Sequence, residues 1–116
     1  MKFSLFILII LSSIQLTAQE DLSRFQWKKR VLVITADSRQ SPILKKQVFA
    51  IGAQDDAFEE RKLVLVTTIN PSIPFEIKLI GLDGGVKLEQ TTILQRKELF
   101  SLIDGMPMRK QEIRNE

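Results

Sequence analysis

The sequence predicts a single α/β domain. The prediction rests on two continuous, β-branched runs, Arg30–Ala36 and Leu63–Ile69, a helical stripe between them, and the dipeptide Asp83-Gly84 set between two further extended segments. Runs of this kind suit strands buried on both faces of a sheet. The first half therefore reads strand, helix, strand, a unit that closes as a parallel pair with a right-handed crossover. Asp-Gly is a strong short signal for an antiparallel hairpin, and an amphipathic helix follows it.

Met1 to Ala18 precede this domain. Lys2, the apolar run Phe3 to Leu11 and the small or polar stretch Ser12 to Ala18 have the layout of a secretory signal. The apolar run is shorter than the ~20 residues that a bilayer-spanning helix needs. The expectation is a signal peptide over 1–18, cut at or near Ala18, and an exported product, periplasmic or extracellular, with no stable membrane insertion. The remainder, 19–116, is about 100 residues long, enough for one core but not for two.

Within it, Ser41 is a good N-cap and Pro42 suits the first helical position, where its missing N–H costs nothing. Ile43, Leu44, Val48 and Ile51 recur at helical spacing, so a helix over about Pro42 to Ala53 can lay that stripe on the sheet. Asp55 or Asp56 caps a further turn toward Lys62. After the break Asn70 to Pro74, Phe75–Ile80 alternates like a strand with one wet face. With Asp83-Gly84 as a two-residue loop, Leu79 faces Leu88 and Lys78 faces Glu89. A helix over about Gln95 to Asp104 presents Leu99, Leu102 and Ile103 on one face, with Gly105 placed to end it.

Composition narrows the chemistry. The net charge of +3 comes from interleaved signs, so no nucleic-acid partner is implied. With no Cys, the domain has neither a disulfide nor a thiol nucleophile. With no His, the commonest general base and metal ligand is missing as well, and no cofactor is expected.

The order strand, helix, strand, hairpin, helix resembles the minimal thioredoxin-like β-α-β-β-α core. That resemblance implies a four-stranded mixed sheet in the order 2-1-3-4 with helices packed on it. Ile73-Pro74 stands just before the third strand, where thioredoxin-like proteins carry a cis-proline, so a cis bond is implied there. The runs Trp27–Leu32, Leu79–Lys87 and Ile103–Arg109 are similar to those of an uncharacterised family of small exported bacterial domains. Related copies of that family occur in extracellular-matrix proteins of the sushi-repeat-containing and coiled-coil-domain-containing kinds, where a peroxiredoxin-like character has been proposed.

Thioredoxin-like enzymes place a reactive Cys-x-x-Cys between the first strand and first helix, and this chain has Asp37-Ser38-Arg39-Gln40-Ser41 there. A serine hydroxyl is hardly ionised at neutral pH and no histidine is present to activate it. Asp37, Ser38, Arg39 and Ser41 with Pro74 either form a retained ligand pocket, or Ser41 is an N-cap in a solvated turn. Asp104, Arg109 and Glu112 offer a guanidinium that grips an anion or a partner's carboxylate. The structural alternative has Met106 and Met108 plugging the sheet edge while Arg109 pairs with Asp104 or Glu112. Trp27 with Lys28, Lys29 and Arg30 reads as an aromatic-basic patch, or as a Trp covering the core's end while the charges stay wet. Asp55, Asp56, Glu59 and Glu60 lack the Gly-centred calcium loop, so no metal is expected.

The functional expectation is a non-catalytic binding or interaction module for a protein or surface glycan. One alternative is a non-thiol enzyme or small-ligand binder using Asp37–Ser41 beside Pro74. Another is a structural or assembly protein, such as a homodimer through the open edge of the fourth strand, Val86 to Thr92.

Overall fold

The computed structural model describes residues 21–115, so the expected export signal over Met1 to Ala18 lies outside the described residues. A 3₁₀ turn, Asp21–Phe25, leads into β1 (Arg30–Ala36). Then come α1 (Pro42–Ile51), α2 (Asp56–Glu60), β2 (Leu63–Ile69), β3 (Phe75–Ile80), β4 (Val86–Gln90), α3 (Arg96–Asp104) and α4 (Pro107–Arg114). The four strands form one mixed sheet in the order β2-β1-β3-β4. Strand β1 runs parallel to β2 and antiparallel to β3, and β3 pairs antiparallel with β4. This is the α/β architecture that the sequence predicts, in the strand order that the resemblance implied.

The central strand β1 is buried at every position. Strand β2 is not, although its composition predicted burial on both faces: only Leu63 is buried and the rest are half-buried. As an edge strand it has β1 on one side only, so its β-branched residues receive half of the expected cover.

Leu32, Ile34 and Ala36 of β1 share one face with Phe75, Ile77 and Leu79 of β3, and this face packs against Leu44, Ile51, Phe58, Leu99 and Ile103 from the helices. Each Leu, Ile or Phe among them contributes about 1.5–3 kcal/mol on burial. Helix α1 differs in one respect from the predicted stripe. Gln47 is fully buried, while Val48 is 40% exposed. The Gln47 amide accepts from the Leu94 N–H at 2.7 Å and donates to the Leu94 carbonyl at 2.7 Å. It takes the inward position because it satisfies backbone groups that an aliphatic side chain would leave unpaired.

The hairpin keeps the predicted pairs, Leu79 with Leu88 and Lys78 with Glu89, but its loop is longer than two residues. A register shift brings Ile80 opposite Val86, and the Gly81 N–H donates to the Gly85 carbonyl at 2.9 Å. The Asp83 carboxylate accepts from the Gly85 N–H at 2.9 Å, and Gly84 at φ +85° supplies the left-handed step. In α3, Leu99 and Ile103 reach the core, whereas Leu102 lies at its exposed margin.

The Ile73-Pro74 bond is trans, which corrects the cis bond that the resemblance implied. The reversal between β2 and β3 is made by Asn70 instead. Its carbonyl accepts from the Ile73 N–H at 2.9 Å and its side chain from the Ser72 N–H at 2.9 Å.

Candidate binding site

The eight residues singled out in the sequence fall into two groups at opposite ends of β1. At the C-terminal end of β1 the β1–β3 ladder finishes with Ala36 opposite Phe75, so Asp37 and Pro74 are the next residues out from the two paired strands. Ser41 is buried and its Oγ accepts from the Leu44 N–H at 3.4 Å, capping α1. The Ser41 N–H donates to the Ser38 carbonyl at 3.3 Å, which closes a turn that leaves Asp37 and Arg39 exposed. Asp104, Arg109 and Glu112 gather near the N-terminal end, about 20 Å away along the strand.

There the structure builds an ionic cluster. Arg109, only 2% exposed, donates from Nε to Asp104 Oδ1 at 3.1 Å, from Nη1 to the Glu60 carbonyl at 3.1 Å and from Nη2 to Glu60 Oε1 at 3.0 Å. Arg61 forks onto the same Asp104 at 3.1 and 2.9 Å, and its guanidinium lies 4.1 Å from the centre of the Phe100 ring. Arg30, 1% exposed, donates to the Arg61 carbonyl at 2.7 Å and with both terminal nitrogens to Glu112 at 3.3 Å. Burial alone would raise the Asp104 pKa, but donation from Arg61 and Arg109 outweighs it and holds the carboxyl below its ordinary value. Burial likewise works against the charge on Arg109, and Asp104 and Glu60 reverse that, leaving its pKa raised.

Sequence reasoning paired Arg109 but missed Arg30, Glu60 and Arg61, and it left the Arg30 charge in solvent. The signal was present: Arg30 opens a run buried on both faces, where a cation must find partners. Trp27 is corrected too. It is 64% exposed and does not cover the core, because a left-handed backbone at φ +67° turns it outward while its N–H donates to the Leu82 carbonyl. Met106 packs against the core as expected, but Met108 is 40% exposed.

Beside the cluster lies a cavity of about 210 Å³. Its walls are Arg30 from β1, Gly81, Leu82, Asp83 and Lys87 from the hairpin, and Met106, Pro107 and Met108 at the start of α4. Lys87 Nζ is held on Asp83 Oδ2 at 2.9 Å, and this hydrogen bond lowers the Asp83 pKa. The α4 N-cap is Met106, which has no side-chain acceptor for the first-turn amides. The Arg30 Nε–H is buried without a hydrogen-bond partner. Elsewhere, Asp55 is occupied by the Arg96 guanidinium at 2.8 and 2.9 Å, and no group of acidic residues able to hold a metal ion occurs among the described residues.

Fold and site together define a small α/β sheet domain whose three motif runs meet around one cavity with apolar lips. The chain belongs to the family described as Domain of unknown function (DUF4174), which it matches over residues 21–73 and 67–112. No match is found among curated proteins. Among the described residues no helix is long and apolar enough to cross a membrane.

Proposed function

We propose that this chain is an exported, non-catalytic binding domain that engages a protein or surface-glycan partner through the cavity between the β3–β4 loop and the start of α4. One observation carries the reading. Arg30, the loop Gly81–Lys87 and Met106–Met108 come from the three runs that stood out in the sequence, and they share the walls of one cavity although they are far apart in the chain. A core position does not require an exposed Met108, a Gly-rich loop and a buried Arg to meet at a surface opening. At about 210 Å³ the cavity is smaller than the ~300–1,000 Å³ typical of sites that enclose a whole small molecule. It suits one inserted group of a larger partner. With neither Cys nor His in the chain, the groups that most often perform thiol or general-base chemistry are absent.

The test is site-specific photo-crosslinking in cells that export the protein, with the reactive group at Met108 in one variant and at Ser38 in another. A discrete adduct from position 108 alone supports this reading. Adducts from position 38 alone transfer it to the Asp37–Ser41 loop, and none from either position removes the binding role.

A further inference from the structure

Resting on that reading of the cavity, we infer that the group it receives is a carboxylate carried on an apolar tail. The first indication is charge. The ion-paired cluster behind the cavity joins four cations, Arg30, Arg61, Lys62 and Arg109, to three carboxylates, Glu60, Asp104 and Glu112. Lys87 and Asp83 on the opposite wall cancel one another. One positive charge is left over, which a monoanion neutralises and a dianion overshoots.

The second indication is an unmade hydrogen bond. Arg30 is 1% exposed and lines the cavity, its two terminal nitrogens are engaged, and its Nε–H has no acceptor. A buried charged donor without a partner costs more than a neutral one, so an anionic acceptor drawn in against the Arg30 guanidinium would gain most by reaching it. The third is the first turn of α4, where Met106 leaves the Met108 and Arg109 amides without a side-chain cap. Those amides carry the positive end of the helix. The remaining wall is apolar, from Leu82, Met106, Pro107 and Met108. It suits a hydrocarbon tail better than the sheath of acceptors on a phosphate or sulfate.

The carboxylate has two possible sources, a free short-chain acid or the C-terminus of a polypeptide. The ¹⁵N-labelled protein is titrated with sodium butyrate, butyramide, inorganic phosphate, and the tripeptide Ala-Leu-Val as free acid and as amide. Butyrate is expected to shift the Met108 and Arg109 amides and the Arg30 Nε–H saturably, with butyramide and phosphate at least tenfold weaker. A tripeptide acid that binds at least tenfold more tightly than butyrate, and loses this on amidation, assigns the carboxylate to a chain terminus. A tripeptide acid no better than butyrate assigns it to the free acid. Equal binding of butyrate and butyramide, tighter binding of phosphate, or shifts that never saturate would overturn the inference.

Met108→Glu places a carboxylate at the helix N-terminus, where it favours folding, and it should weaken butyrate at least tenfold without lowering the thermal midpoint. Unchanged butyrate affinity in that variant also overturns the inference. A crosslinked partner from position 108 without any preference for carboxylates would end this proposal and leave the binding role standing. Carboxylate binding without an adduct would leave the carboxylate site standing and remove the protein or surface-glycan partner.

Discussion

Replacing Arg109 by Met tests whether the closing motif serves the fold. The Met side chain keeps most of the apolar stem and removes the guanidinium with its three hydrogen bonds, to Asp104 Oδ1, the Glu60 carbonyl and Glu60 Oε1. Breaking a buried pair by deleting one partner costs about 3–5 kcal/mol when the other is stranded. Here the stranding is partial. Asp104 keeps the Arg61 fork, and the Asp104 and Glu60 side chains are 36% and 50% exposed, so water reaches both. Taking the buried figure down toward that of solvated pairs gives a loss of about 2–3 kcal/mol. For a domain of this size that lowers the melting temperature by about 10–20 °C. Urea unfolding followed by circular dichroism, with Met108→Ala as control, measures it. A loss below about 1 kcal/mol, no different from the control, would refute the reasoning and return Arg109 to the role of a free anion grip.

Three further outcomes are expected. The Asp104 carboxyl has its pKa lowered in the folded state, so its contribution to stability is complete above the unfolded value of about 4 and is lost as pH falls through the lowered folded value; the urea midpoint should hold between about pH 7 and 5 and drop below about 4, less steeply in Asp104→Asn. Ser41→Ala removes the cap on Leu44, whose hydrogen bond is long at 3.4 Å, and should cost about 0.5–1 kcal/mol in the same assay; a neutral result would show that the hydroxyl does not cap the helix. Mass spectrometry of protein recovered from its native host should find the N-terminus at Gln19 or within two residues of it, whereas intact Met1 in soluble material would remove the export proposal.

The strand positions were legible because period and run length carry them. Strands β1, β2 and β3 match the apolar runs, and the hairpin register follows from the turn signal and the opposite-charge pair Lys78–Glu89. The edge status of β2 was not legible in its composition, since Leu-Val-Leu-Val-Thr-Thr-Ile would suit a central strand equally well. Gln47 was missed because helical periodicity scores a polar residue as solvent-facing unless a backbone partner is known, and that partner, Leu94, lies far along the chain. The candidate cavity was half legible. Its three contributing runs stood out as motifs, but their convergence depends on the hairpin loop reaching past the sheet to the chain that follows α3. Spacing within each run holds no record of that approach.

Helix α4 shows why the closing segment looked like a tail. An amphipathic helix normally announces itself by an apolar stripe, yet Met108 and Ile113 are exposed and the buried residue of this helix is Arg109. It is attached by charge: Arg109 reaches Asp104 and Glu60, while Glu112 reaches Arg30 and Lys62. Apolar packing holds an element through area and tolerates small shifts, whereas a guanidinium fork holds it through direction and does not. The same contacts that dock α4 therefore fix the Met106–Met108 wall against the Gly81–Lys87 loop. A partner filling the cavity would meet a preset opening, and the cost of ordering it has already been met by the fold. This also explains why Arg30 stands at the very start of β1. From there its two terminal nitrogens tie the sheet to α4 and to the Arg61 carbonyl, and its third donor is left without a partner beside the cavity that those ties create.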